Sequence, residues 1–241
     1  MHALPCSSSP SAARAGRAFL AATALACGMG FAAGGAHAQA TSRTCAADGA
    51  APDTPGPACL LHREPIGPLA GGDVYWRLYT YPTLEAARLD RPARATVVAA
   101  FGKIWLFTVG ARGPLLPGGR HVADVGPIPV EAGNAYAAEY LKSTFSPGMT
   151  APLHVHSGPE AFYAVSGDTC LETPDGVQVA RGPGNSLVIR GGPPMLLMAL
   201  GAEPRRGFAL ILHDGALPPT TLVHDWAPEG RCQRALQGAA P

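Results

Sequence analysis

Hydrophobic and polar positions alternate over short stretches along most of this chain, with turn residues between the stretches. Asp73 to Tyr81 (DVYWRLYTY) alternates bulky and polar residues and predicts a β-strand. Ala95 to Phe101 and Lys103 to Val109 (KIWLFTV) predict two more. Thr83 to Leu89 predicts a short helix, capped by Thr83 and limited by Pro92. Gly113 to Arg120 is a turn-rich loop, and His121 to Val130 reads as an edge strand or a linker because of Pro127 and Pro129. From Ala135 the predicted strands crowd together: Ala135 to Lys142, Ala151 to His156, Glu160 to Val165, Thr169 to Thr173, Val177 to Arg181, Ser186 to Ile189, Met195 to Leu200 and Phe208 to His213. Pro174-Asp175-Gly176 is a tight turn that predicts a hairpin. Strands of this length and spacing predict an all-β sandwich or jelly-roll barrel. At the flanks the pattern weakens. Thr41 to Leu60 is a loose leader and Gly215 to Pro241 an irregular tail, in which His224-Asp225-Trp226 reads as packing or surface.

The first forty residues read as processing rather than fold. Arg14 and Arg17 end a basic segment, and Ala18 to Ala33 is apolar. Ala36-His37-Ala38 and Ala38-Gln39-Ala40 both have the small-x-small form that signal peptidase cuts, so residues 1–40 are expected to be a signal peptide. The apolar stretch is too short, and too rich in Ala and Gly, for a membrane span. Lipidation at Cys27 is disfavoured by Ala24 and by the better site downstream. The expected location is periplasmic or secreted. Four cysteines then stay with the mature chain, Cys45, Cys59, Cys170 and Cys232, an even number in an oxidising compartment. Four cysteines allow three pairings. The preferred one joins Cys45 to Cys59, closing a Pro- and Ala-rich loop, and Cys170 to Cys232, tying the tail to the strands. The alternative is four free thiols. A net charge of +1 without a basic run argues against a nucleic-acid partner.

The chemistry gathers between Gly148 and Gly167 (GMTAPLHVHSGPEAFYAVSG). Side chains two apart on a strand share a face, so His154 and His156 project together if this segment is extended. Glu160 follows a Ser157-Gly158-Pro159 bend. A single histidine on a strand is usually surface or satisfied core. Two imidazoles on one face with a carboxylate close behind suit a divalent transition metal instead, with Fe, Mn, Ni, Zn or Cu as candidates.

This spacing, Gly148, His154, His156, Glu160 and Gly167, resembles the first signature motif of the cupin superfamily at every defined position. Gly184 to Ala199 is similar to the second motif, but degenerate: Gly184 and Gly192 fit, while Arg190 replaces proline, Met195 the last metal histidine and Ala199 asparagine. The resemblance covers Gly133 to Leu200. It implies a cupin-type jelly-roll β-barrel with the metal inside its mouth and a ligand set of two histidines and one glutamate. Met195 would be a weak ligand, a pocket-lining residue or the mark of a lost site, and pocket lining is favoured because methionine fills apolar gaps. Tyr163 and Arg190 become candidates for the barrel mouth, as an acid and a carboxylate holder, against the plainer readings of core aromatic and solvated turn. The superfamily implies a metal-dependent oxygenase, isomerase or lyase acting on a small organic substrate. The alternative is a cupin that binds a metal or small ligand without turnover. It also implies a homodimer. Gly72, Tyr75, Tyr79 and Thr83 are echoed at constant offset by Gly133, Tyr136, Tyr140 and Thr144. So the strand-rich region 61–132 reads either as a degenerate first cupin half or as extra N-terminal strands and a short helix added to one barrel. The expected organisation is signal peptide 1–40, leader 41–60, N-terminal region 61–132, cupin domain 133–214 and tail 215–241.

Overall fold

The computed structural model describes residues 42–46 and 55–238. The expected signal peptide and much of the leader lie outside the described residues.

Alternation becomes strand throughout. In order, the elements are β1 (Gly56–Pro68), β2 (Val74–Tyr81), α1 (Leu84–Leu89), β3 (Thr96–Ala100), β4 (Lys103–Ala111), β5 (Arg120–Ile128), β6 (Ala135–Phe145), β7 (His154–His156), β8 (Glu160–Ser166), β9 (Asp168–Thr173), β10 (Gly176–Ala180), β11 (Ser186–Ile189), β12 (Leu196–Leu200), β13 (Arg205–Asp214), β14 (Thr220–Leu222) and α2 (Arg231–Gln237). Thr83 caps α1, its hydroxyl accepting from Ala86 N at 3.1 Å.

The strands form antiparallel sheets in the orders β1-β6-β13-β8-β11, β10-β9-β12, β14-β7 and β3-β4-β2-β5. The five-stranded sheet is the centre of the molecule, because both of its faces are covered. On one side Phe145 and Phe162 pack with Leu171, Leu197 and Ala199 of the three-stranded sheet, which makes the interior of a barrel. On the other, Tyr140, Tyr163, Phe208 and Leu210 pack with Trp76, Trp105 and Phe107 of the four-stranded sheet. Edge-to-face ring contacts at 5.0–5.4 Å run through this second layer, including Trp105–Phe208 and Trp76–Phe107.

Three expectations need correction. The leader is not loose to its end: Gly56 to Leu60 belong to β1, which pairs with β6, and Cys45 is bonded to Cys59. The tail is not irregular: β14 pairs with β7, and α2 covers the outer face of the three-stranded sheet, where Cys170 is bonded to Cys232. The preferred cysteine pairing is the observed one. Both elements were hidden because they are short or broken by Pro and Gly, so that only their tertiary partners make them regular. Lastly, region 61–132 is no second barrel: its first residues continue β1 in the five-stranded sheet, and β2 to β5 form a four-stranded sheet packed on the barrel, the added-strand arrangement. The echo does not extend to pairing: β2 pairs directly with β4, whereas β13 separates β6 from β8. β5 is an edge strand, as its prolines predict.

Candidate metal centre

The segment entering the site is held along β12 before β7 begins. Ala151 N donates to Leu197 O at 2.9 Å, and Met195 N to His154 O at 2.9 Å. β7 is only three residues long, but its pairing with β14 puts His154 opposite Leu222 and His156 opposite Thr220. The bend that follows requires glycine. A Cβ on Gly158 would lie 2.0 Å from Leu212 O, so only a bare backbone can pass close to β13 here. This close passage brings Glu160, the first residue of β8, back beside the imidazoles. Gly148 and Gly167, which bound the segment, have φ of 79° and 74°, where a side chain is strained.

The three side chains meet. His154 Nε2 lies 2.9 Å from His156 Nε2, and His156 Nε2 lies 3.0 Å from Glu160 Oε2. The potential ligand atoms are all within 4.8 Å of one another. On the far side of each ring, His154 Nδ1 faces Pro152 O at 2.6 Å and His156 Nδ1 faces Pro219 O at 2.8 Å. A carbonyl can only accept, so each Nδ1 carries the proton and each neutral ring presents an Nε2 lone pair to the centre. Backbone carbonyls in this position commonly orient metal-binding histidines. Glu160 is 3% exposed, and its Oε2 faces the His156 ring nitrogen. Two lone pairs and a buried carboxylate facing one point call for a cation there.

Burial pulls the His156 imidazole down, but the charge and hydrogen bond of Glu160 and the Pro219 carbonyl outweigh it, so the ring is raised above its ordinary value. Burial, with the charge of His156, holds His154 below its ordinary value.

Beside the cluster opens a cavity of about 270 Å³, walled by Leu141, Phe145, Phe162, Met195, Leu197 and Ile211. Met195 is buried in this wall among Phe145, Phe162 and Leu197. The two mouth candidates lie elsewhere. Tyr163 points out of the barrel, its ring 6.3 Å from that of Trp105, and burial raises its phenol. Arg190 is 62% exposed on its side chain and pairs with Asp175 at 2.7 Å across solvent. Both fail for a geometric reason. Tyr163 has the opposite strand parity from Glu160, and Arg190 follows the end of β11.

Several site residues escaped the sequence reading. Glu139 stands in the same cross-sheet row as Ile211 and Glu160, is paired with Arg63 through Nε at 2.8 Å, and adds to the upward pull on His156. Pro219 and Thr220 come from the tail. Arg205 lines the cavity near the start of β13. Starting that strand at Phe208 left Arg205 in a turn. Extending the alternation back from Ile211 through Ala209 would have put it inside.

No family profile and no curated protein matches the chain. Similar solved structures include an oxalate oxidase in complex with the substrate analogue glycolate, at 20% identity over 36% of this chain and 46% of that one, TM-score 0.31. A cupin-like protein from Thermotoga maritima is similar at 14% identity over 43% and 73%, TM-score 0.34. A salicylate 1,2-dioxygenase from Pseudoaminobacter salicylatoxidans is similar at 14% identity over 30% and 19%, TM-score 0.27. The chain spans less than half the length of the oxalate oxidase it matches. What decides the architecture is the protein's own strand order, with the two histidines and the glutamate of the first motif inside a two-sheeted barrel. The fold is a jelly-roll type of β-barrel. Within the barrel His154, His156 and Glu160 are together. The second-motif position Met195 reaches the same region through the backbone of His154, as an apolar wall.

Proposed function

We propose that His154, His156 and Glu160 hold one divalent transition metal, and that a small organic substrate in the adjoining cavity reacts there in an oxygenase, isomerase or lyase reaction. The observation that carries this is the convergence of two imidazole Nε2 atoms and a buried carboxylate oxygen on one point. A two-nitrogen, one-oxygen donor set suits Fe, Mn, Ni, Zn or Cu, and such an ion supplies Lewis acidity or dioxygen activation when bound. The chain's residues do the rest. Pro152 and Pro219 fix both imidazoles, Glu160 supplies the negative charge, and the apolar wall excludes water. Binding without turnover is the second reading. It is favoured because, among the described residues lining the cavity, no acid or base stands beside the three site residues.

Metal analysis of protein purified without added metal is expected to find about one transition metal per chain. Protein that neither carries nor takes up metal would refute the proposal. Substrate screening under air and under nitrogen then separates oxygen chemistry from isomerisation, elimination or plain binding. The two disulfides support an oxidising destination, periplasmic or secreted. Among the described residues no helix is long and apolar enough to cross a membrane. A homodimer, implied by the cupin resemblance, is checked by sedimentation.

A further inference from the structure

Arg205 is 1% exposed, and no carboxylate lies within ion-pair distance of it among the described residues. A guanidinium buried inside a barrel with no carboxylate bonded to it is costly, so its place there needs a reason. It is held firmly. Nε donates to Thr169 Oγ1 at 2.8 Å, Nη1 donates to Ser143 Oγ at 3.2 Å, and the guanidinium lies 5.9 Å from the Phe162 ring centre. Nη2 has no partner. Burial lowers the Arg205 pKa to about 10, against the raising effect of Glu160, so the group is still a cation at neutral pH. Ser143 accepts from Arg205 and keeps its own hydroxyl proton to donate. Both residues line the same cavity as His154, His156 and Glu160, and most of the remaining wall is apolar.

We propose that the cavity takes a carboxylic acid, its carboxylate accepting from the Ser143 hydroxyl over the Arg205 guanidinium and its compact apolar body lying along Phe145, Phe162 and Leu197. Ser143 supplies a fixed hydrogen bond to an anion, and Arg205, bonded to Ser143, supplies the positive charge behind it. A volume of about 270 Å³ is at the small end of ligand pockets, which selects a short acid. The inference deepens the proposed function by naming the substrate class. It rests on that reading only for where the other end of the molecule reacts.

The test titrates pentanoate and its neutral isostere pentanamide into the mature protein, both metal-free and zinc-loaded, by calorimetry. Pentanoate is expected to bind at least about tenfold more tightly than pentanamide in both forms. Arg205→Gln should remove that preference and Ser143→Ala should reduce it, both with metal stoichiometry unchanged. Equal binding of the two probes, no binding of pentanoate, or a preference that survives Arg205→Gln overturns the proposal. A preference seen only in the zinc-loaded form places the carboxylate on the metal and also overturns it. Failure of metal uptake refutes the metal reading alone, because the metal-free titration still decides this one. If Arg205→Gln does not fold, Ser143→Ala decides, and an unchanged preference in that variant is the overturning result.

Discussion

Along β8, Glu160 and Phe162 face the barrel interior, while Ala161 and Tyr163 face the four-stranded sheet. The inner face of the five-stranded sheet holds buried Glu139, Glu160 and Arg205 beside the cavity. The outer face is built around Tyr140, Tyr163 and Phe208, locked to Trp105 and Phe107. One set of strands thus separates chemistry from stability by the two-residue period of the pleat. Buried charge is costly, and an aromatic layer directly behind it is a means of offsetting that cost.

The sharpest way to break the comparison is to remove the inner ligands. Changing His154 and His156 together to Ala should reduce bound metal from about one per chain to background, measured by metal analysis, while the metal-free protein stays folded. Retained metal in that variant would mean the site lies elsewhere. The converse is Phe208→Ala on the outer face. It should cost about 3–5 kcal/mol in denaturant unfolding and leave metal stoichiometry unchanged. If it instead empties the site with little loss of stability, the division between the faces is wrong.

A charge on the structural side should act on stability alone. Burial raises the Asp124 carboxyl, but hydrogen bonds from His121 and Arg77 outweigh this and hold it below the ordinary carboxylate range. A depressed carboxylate contributes stability above its unfolded value and loses it as pH falls through its folded value. Asp124→Asn should therefore be less stable by about 1 kcal/mol at pH 7. Its difference from wild type should shrink as pH drops below the ordinary range, followed by thermal melts across the acid range. Smallest of all, Met195→Leu keeps an apolar wall of similar volume. It should cost less than about 1.5 kcal/mol and leave metal affinity unchanged, whereas a clear drop in affinity would make the thioether a ligand.

Much of this was legible before any coordinates. Ser186 to Ile189 is β11 residue for residue, Thr83 caps the short helix, and the spacing of His154, His156 and Glu160 marked the three side chains that meet. These features are local: alternation, a cap, and three polar side chains within six residues of one another around one bend. The failures were all matters of orientation or partnership. Tyr163 and Arg190 were placed at the mouth by proximity in sequence. β1 and β14 became strands only by pairing with β6 and β7.

The amino-acid sequence determined the strand pattern and the convergence of His154, His156 and Glu160, because side-chain period and short-range spacing are set within a few residues. It also supplied the cysteines that pair. Only the tertiary structure decided which face of each strand looks into the cavity, that Pro219 orients His156 across sixty-three residues, and that Arg205 stands inside the barrel. Those depend on how strands distant in the chain register against each other, and a shift of a single residue would reverse every one of them.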